Sequence, residues 1–464
     1  IDQGLGRASS VGSGQWRLAK IASRAENYAE AERLCLSSLA IHERTENHKK
    51  QGTELSRLGN ICFKAGDLER SNQYFQRAIA LHTRLDNQRG LSFTYYYLAR
   101  NASEGGDSDE ATRLYEKSLA IDGALGDLEG ARTLHTRLAT LAEKQKDWAR
   151  QAHHLQKAVE LAVELEDKKT EARLRSHLGT NAKSSGDYDL AKQHYTHALE
   201  LDTARNYKKG ISMRNYYLGK LAKLRHHDDE AMACFERSLH IDLALDDRKG
   251  AATMHALVGQ QAVRLRDLAK ARDHYQASLA LREAIGAKEL VANTRYKLAC
   301  LDFLEGKKEA ARATWEQVLT EATEQSWSDL ALKVLSKQVF LPDELPANLS
   351  ERIEALGAEV DTPLGEVGVA VVRAGIEARQ DADLERLDRH LDALRKAVAT
   401  LREPPAIEES EAAALWWAAQ AFDRAGDTVQ ARALATEVRD VVRGRGWPYS
   451  ADLEAFLNRP QSTT

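Results

Sequence analysis

The sequence is poor in residues that interrupt or cross-link a chain. Its 464 residues include only 7 prolines and 4 cysteines. Scarce proline removes the main obstacle to long helices. The cysteines show no CxxC spacing that would predict a zinc site or a disulfide framework, and they are Cys35, Cys62, Cys234 and Cys300. We therefore expect free thiols, a reducing compartment and a cytoplasmic location.

Long hydrophobic runs and a strong net charge are also missing. No apolar run approaches the roughly 20 residues that a membrane-spanning helix needs, and the formal net charge is −4. Since a mildly acidic chain is a poor general binder of polyanions, neither nucleic acid nor membrane is the expected partner. The sequence has no P-loop, GxSxG or HExxH motif. We expect no enzymatic activity and no resident cofactor.

The 15 histidines do not predict a metal site. His153 and His154 are adjacent, as are His226 and His227. Neighbouring side chains on a helix point about 100° apart, so adjacent histidines are poor joint ligands. We therefore expect no metal.

What the sequence does contain is a repeat with a period of 40 residues. Aspartate recurs in one register at Asp67, Asp107, Asp147, Asp187 and Asp267. Glycine precedes that register at Gly66, Gly106, Gly186 and Gly306. A small residue follows four positions after it, and a large apolar group follows eight positions after it. Such a period indicates a stacked array of helical units, whose function resides in a long surface and not in a pocket.

One unit, residues 51–85, predicts a pair of antiparallel helices. In the first helix, Leu55, Leu58 and Cys62 recur at helical spacing. Glycine at position 66 ends that helix, because it accepts the left-handed conformation without steric cost. Asp67 is then a natural N-cap for the second helix. Each helix needs its neighbours to bury its apolar face, so several units must fold together.

These residues resemble the tetratricopeptide repeat. The pattern is Leu58-Gly59, Gly66-Asp67, Ser71, Phe75 and Ala78, and it recurs 40 and 120 residues later with small changes. The usual period is about 34 residues, whereas 40 is similar to the variants of Pins/LGN-type polarity adaptors and kinesin light chains. The resemblance implies an all-α fold, a right-handed superhelical solenoid of stacked antiparallel helix pairs. It covers about eight regular repeats over residues 12–335.

The regular register stops near Leu335. We predict a break at 336–349, degenerate helical hairpins of the same kind over 350–445, and a short cap with a frayed tail over 446–464. Atypical terminal units are common in such arrays. The chain begins at Ile1 and not at methionine, which leads us to expect further domains beside it.

The resemblance also implies that the first helix of each pair lines a concave, ligand-facing surface. Seven equivalent first-helix segments, beginning with 51–65, contain 16 Lys and Arg but only 6 Asp and Glu. The remainder of the chain is correspondingly acidic. A basic wall of this kind attracts a partner of opposite charge.

Within these helices one register pairs an aromatic residue with a cation four positions later, on one helix face. The pairs are Trp16 with Lys20, Tyr96 with Arg100, and Tyr216 with Lys220. Neighbouring inner positions add Asn60, Arg173, Ser176, Met213, Lys223 and Tyr296. The pattern favours an acidic, partly hydrophobic peptide or disordered segment of another protein, bound by a scaffold or adaptor. Alternatively, these rings pack between the helices, as buried aromatic residues commonly do, and the same interpretation applies to the neighbouring Tyr95, Tyr97 and Tyr217.

Three other functions stay open from the sequence. The chain would also suit a regulatory sensor region of a larger, bacterial-type signalling or effector protein. An enzyme has no motif in its favour. A single-stranded nucleic-acid binder would use the aromatic residues for base stacking, although the overall acidity argues against it. The sequence leaves the oligomeric state open.

Overall fold

The computed structural model describes residues 2–339, 349–357, 428–442 and 450–458, with shorter stretches between 369 and 423. Every regular element in these residues is an α-helix, and they contain no strand. No helix in the described part of the chain is both long enough and apolar enough to cross a bilayer. The predicted all-α class is confirmed.

Sixteen of the helices within the continuous stretch 2–339 follow one another, and from the third onwards each begins 20 residues after the one before it. They are α1 (Asp2–Arg24), α2 (Tyr28–Arg44), α3 (His48–Lys64), α4 (Leu68–Arg84), α5 (Gln88–Glu104), α6 (Ser108–Leu125), α7 (Leu128–Lys144), α8 (Trp148–Glu164), α9 (Lys168–Ser184), α10 (Tyr188–Ala204), α11 (Lys208–Leu224), α12 (Asp228–Ala244), α13 (Arg248–Arg264), α14 (Leu268–Ala284), α15 (Lys288–Leu304) and α16 (Lys308–Glu324). Odd-numbered helices are the first helices of the predicted pairs, and even-numbered helices are the second. Four more described helices are α17 (Ser328–Val339), α18 (Leu349–Gly357), α19 (Thr428–Val442) and α20 (Ser450–Leu457).

The turn between the two helices of a pair has the predicted chemistry. Gly66 has φ +84° at the end of α3, and the Asp67 carboxylate accepts a hydrogen bond from the Arg70 amide at 3.0 Å. His226, which replaces the glycine in a later repeat, adopts φ +58°. The same left-handed turn therefore forms without glycine, at the steric cost that a side chain brings.

The cap also recurs between pairs, which the sequence analysis did not predict. Asn47 caps α3, Asn87 caps α5 and Asp127 caps α7, each through its side-chain oxygen. Because an Asn or Asp at N-cap satisfies an orphan amide of the first turn, the helices begin every 20 residues. As a result α3 begins at His48, three residues before the predicted segment.

Close packing within a pair explains the small and large residues of the repeat. Ser71 Oγ donates to the Gly59 carbonyl at 2.8 Å, so α3 and α4 approach closely at that point. The ring of Phe75 is fully buried beside Gly59, where a Cβ would lie 2.5 Å from it. Gly179 and Tyr195 repeat this contact in α9 and α10. In both pairs the glycine of the first helix thus leaves room for the ring of the second helix.

Two compact units divide the chain, residues 1–234 and residues 235–464. In the first, each helix pair contributes to a chain of small apolar cores, such as the one that joins Tyr115 with Leu134 and Leu138. In the second, one larger core includes Trp315, Leu434 and other residues as far as Phe456. The C-terminal helices thus share a core with the end of the regular repeats.

The predicted boundaries are only partly covered by described residues. α1 begins at Asp2, ten residues before the predicted start of the array at 12. The predicted break at 336–349 begins too early, because α17 continues to Val339 and α18 begins at Leu349. Residues 340–348 and most of the predicted hairpins at 350–445 lie outside the described residues. In the predicted cap at 446–464, α20 covers Ser450–Leu457.

Candidate functional site

The candidate site is the surface of the first helices in the unit of residues 1–234, called here the first-helix surface. Helices α3 and α5 contact each other directly, although a second helix separates them in sequence. Side-chain contacts also join α1 to α3 and α5 to α7. Neighbouring first helices can therefore present their side chains to one ligand.

At α1, the cation above the Trp16 ring comes from the next first helix. The Arg57 guanidinium lies 3.8 Å from the ring centroid and is also paired with Glu54 at 2.6 Å. Lys20, the predicted partner of Trp16, is exposed on α1. The half-buried Trp16 thus packs under a cation that is already neutralised.

Aromatic side chains form a patch at α3 and α5, defined by Phe63, Phe93, Tyr96 and Tyr97. The Phe93 and Tyr97 rings are 4.6 Å apart, and Tyr96 meets Tyr97 edge-on at 5.0 Å. Phe93 is 44% exposed, although most large apolar groups in the repeats are buried. Arg100 lies over this aromatic patch, 4.6 Å from Phe63 and 5.5 Å from Tyr97. An arginine held against two rings keeps its N–H edge available for an anion.

The next two first helices add arginines beside the aromatic patch. Arg137 of α7 donates from Nε to the Tyr96 hydroxyl at 3.3 Å. Arg173 of α9 is solvent-exposed, and desolvation together with the charges of Arg132 and Arg137 lowers its pKa. Desolvation is the largest cause of this shift, and the two neighbouring guanidinium charges add to it. An anion bound there would relieve the repulsion.

Four cations in successive first helices have no carboxylate of the described residues within ion-pair distance. We call them the cation row, and they are Arg100, Arg137, Arg173 and Lys220. Other cations of the same helices are neutralised: Arg175 by Glu171 and Arg225 by Asp189. The predicted positive excess is therefore smaller at the surface than in the sequence count. The cation row is part of what remains.

In α11 the structure reproduces the predicted aromatic–cation pair. Lys220 Nζ lies 5.4 Å from the Tyr216 ring centroid. Met213 is 42% exposed on the same helix, and Lys223 is half-buried. Tyr217, by contrast, stacks on the buried Tyr195 at 5.2 Å, as the alternative interpretation of the rings expected.

Three predicted site residues differ in their surroundings. Asn60 is half-buried, and its enclosed Oδ1 has no hydrogen-bond donor within the described part of the chain. Ser176 is only 5% exposed and donates to the Ala172 carbonyl of its own helix, so the prediction that it contacts a ligand is wrong. Tyr296 belongs to the second unit, where its hydroxyl donates to the Lys333 carbonyl at 3.4 Å.

The sequence analysis missed several residues that the structure places at the site. They are Arg57, Phe63, Phe93 and Arg137. The repeat register held the signal, since Phe93 shares its position with Arg173 and Met213, and Phe63 shares its position with Lys223. The described residues contain no group of three or more His, Cys, Asp or Glu side chains arranged to hold a metal ion.

Comparison with known protein families identifies the repeat. Two family models described as tetratricopeptide repeat match the chain, one over residues 51–124 and one over residues 172–205. Both matches lie in the first unit, and together they include the aromatic patch and Arg173. No curated protein sequence matches the chain.

Solved structures with the same fold include two with TM-scores above 0.5. A signal transduction ATPase with numerous domains (STAND) from Pyrococcus horikoshii, which has a tetratricopeptide repeat sensor, has 15% identity and a TM-score of 0.52. The match covers 70% of this chain and 50% of that protein, so the chain spans half of its length. The apo form of RapI has 13% identity and a TM-score of 0.55, with 76% of this chain and 99% of RapI covered. At these identities the similarity shows the fold.

Proposed function

Because the chain is a tetratricopeptide repeat protein, we propose that it is a protein-interaction scaffold that binds an acidic, partly hydrophobic peptide segment. The segment would lie on the first-helix surface of residues 1–234. The observation that carries this proposal is the cation row beside the aromatic patch, where Arg100 lies over Phe63 and Tyr97 and Arg137 contacts Tyr96.

The arginines of the cation row are prepared for carboxylates. A guanidinium binds a carboxylate through two parallel hydrogen bonds. Arg100 is positioned by Phe63 and Tyr97, and Arg137 uses only its Nε for Tyr96. Side chains that are already ordered lose less conformational entropy on binding. Acidic residues of the peptide would therefore bind at α5, α7, α9 and α11 in turn.

The aromatic patch and Met213 supply the apolar part of recognition. Exposed aromatic side chains and Arg are the residues that most often dominate binding energy at interfaces, and Met adapts to different ligand shapes. We place this adaptor in the cytoplasm, in keeping with its four free cysteines.

A peptide array tests the proposal directly. Immobilised 15-residue peptides would vary independently in their number of Asp or Glu and of Phe, Leu or Met. The proposal predicts that the full chain is retained most strongly by peptides that carry both acidic and apolar side chains. Equal retention by neutral or basic peptides would contradict it.

Charge reversal in the cation row should then weaken binding of the tightest array peptide. We expect the double substitution Arg100→Glu and Arg137→Glu to lower its affinity at least about 30-fold, which corresponds to the loss of about 2 kcal/mol, the cost of a single interface hot spot. Arg84→Glu, at an exposed position of a second helix, is the matched control and should bind as the wild type does. Fluorescence anisotropy of the labelled peptide measures its affinity for the wild type, the double variant and the Arg84→Glu control.

A second candidate function is a sensor region within a larger signalling protein. The fold similarity to a STAND protein with a tetratricopeptide repeat sensor, half of whose length is matched, favours it. The same surface would bind the sensed peptide. An adjoining nucleotide-binding domain in the same reading frame would support this function, and its ATPase rate should then change when the array peptide binds.

A further inference from the structure

The last turn of α14 contains a buried arginine without a carboxylate partner. Arg282 is 6% exposed, and none of the described carboxylates pairs with it. Its Nη1 donates to the Leu290 carbonyl at 3.1 Å and to the Thr294 hydroxyl at 2.6 Å. Its enclosed Nε has no hydrogen-bond acceptor in the described part of the chain, and burial lowers the pKa of the guanidinium. A buried charge is costly unless a counter-charge accompanies it.

Other repeats have an acidic side chain at this position. We call the turn from a second helix to the next first helix a junction. At three other junctions an aspartate of the second helix lies against a glycine in the first turn of the next first helix, and the pairs are Asp122 with Gly130, Asp202 with Gly210, and Asp242 with Gly250. A negative charge stabilises the N-terminus of the helix that follows. At these junctions the chain therefore supplies its own anion.

The N-cap residue of a junction lies beside that side chain. Before α5, Asn87 donates from Nδ2 to His82 Nδ1 at 3.0 Å. Before α7, Asp122 and Asp127 both approach one glycine. Five caps of this register accept a hydrogen bond from the amide three residues later, and they are Asn47, Asn87, Asp127, Asp167 and Asp247. Ala287 occupies the same position before α15 and has no side chain that can do so.

The first turn of α15 therefore keeps an unpaired donor beside the buried arginine. The Leu290 amide, three residues after Ala287, has no acceptor among the described residues. Within the same residues, the exposed Glu289 bonds to neither this amide nor Arg282. The C-terminal dipole of α14 is equivalent to about half a charge, so it offsets the guanidinium only in part. A helix N-terminus next to a buried cation is a binding site for an anion.

We propose that this junction binds a small carboxylate ion, of the size of acetate, in place of the aspartate carboxyl groups of the other junctions. One carboxylate oxygen accepts from the Leu290 amide, and the other faces the Arg282 guanidinium. Ala287 lacks only the carboxyl group that Asp247 has at the equivalent position, so a ligand of that size fits. Its single negative charge balances the guanidinium. The site lies in the second unit and uses no residue of the cation row.

Hydrogen–deuterium exchange followed by mass spectrometry tests the site locally in the full chain. The probe is sodium acetate at about 0.1 M, which saturates a site of millimolar affinity. Sodium chloride at the same concentration shows the general effect of salt. We expect acetate to slow exchange of the amides of residues 288–290 at least about threefold more than chloride does. Equal slowing by the two salts would overturn the carboxylate assignment, and no slowing by acetate would overturn the site.

Three variants connect the acetate effect to the proposed residues. Arg282→Met removes the charge at similar volume, which is often neutral for stability, and it should abolish the effect. Ala287→Asp supplies the carboxyl group from the chain, so it should slow the same amides without acetate and make added acetate ineffective. Lys307→Asp, at the exposed N-cap of α16, is the matched control and should respond as the wild type does.

Circular dichroism verifies that the three variants fold. An acetate effect that persists in Arg282→Met would overturn the proposal. Loss of the effect in Lys307→Asp would overturn it as well, because that substitution adds the same carboxyl group away from the buried arginine.

Discussion

At the scale of single residues, two of the repeats contain a pair of facing histidines. His135 and His154 approach each other through their Nδ1 atoms at 3.1 Å, and His255 and His274 do so at 3.0 Å. The two pairs occupy the same positions three repeats apart, one in each unit. One ring must donate and the other accept, so at most one proton is shared between the two facing nitrogens. Such a pair tolerates a second proton poorly.

Stability should therefore depend on pH through these histidines. Burial lowers the pKa of His135 and lowers that of His154 to about 4, with further lowering from nearby His153 and Arg150. An unfolded histidine binds a proton near pH 6.5. Between pH 6.5 and about 4 the unfolded chain thus binds more protons. The stabilisation is complete above pH 6.5 and is lost as the pH falls towards 4.

Urea unfolding at pH 7.5 and pH 5 measures this effect. We expect the wild type to lose on the order of 2 kcal/mol through His154 alone. His154→Leu should reduce the pH dependence, because the substituted side chain does not titrate. His48→Gln, at an exposed position, should leave it unchanged. Parallel pH dependence in all three proteins would contradict this assignment.

At the scale of single residues, the sequence predicts local contacts better than distant ones. The cap at Asp67 and the turn at Gly66 depend on neighbours within a few residues, and both are confirmed. The cation over Trp16 was not predictable in this way. Its true source, Arg57, lies one whole repeat away, and the stacking of the helices brings it there.

The helix pair is the unit that gives the array its spacing. Glycine in a first helix meets a ring of its second helix, as Gly59 meets Phe75. The repeat pattern marks the ring of this contact, since a large apolar group recurs eight positions after the aspartate register, but it does not pair that ring with Gly59. The helix starts were predicted less well, because the Asn caps between pairs do not share the aspartate register.

Enlarging Gly59 should therefore destabilise its pair. The Cβ of Gly59→Ala would lie 2.5 Å from the fully buried Phe75 ring, and the pair must separate to admit it. We expect a loss of about 1–3 kcal/mol, typical of overpacked cores. Gly123→Ala in α6 is the control, since its Cβ meets no atom within 4 Å. This control should be neutral or slightly stabilising because alanine favours helix. Thermal unfolding of both variants checks the difference, and equal melting temperatures would refute it.

The charge distribution of the whole molecule could be predicted only in part. The sequence correctly indicates that first helices are rich in Lys and Arg. It does not show which cations are neutralised, because their partners come from other helices. Arg214, for example, pairs with Asp202 of α10, and Arg225 pairs with Asp189 of the same helix. The cation row is part of what such pairing leaves within the first unit.

The account depends most on where an acidic peptide binds. The tightest array peptide, carrying a photo-activatable cross-linker, would be bound to the full chain and irradiated, and the attached residues would be identified by mass spectrometry. We predict attachment on α5, α7, α9 and α11, near Phe93, Tyr96 and Met213, and its loss in the Arg100→Glu, Arg137→Glu variant. Attachment confined to the second helices, or unchanged in that variant, would contradict the proposed binding surface.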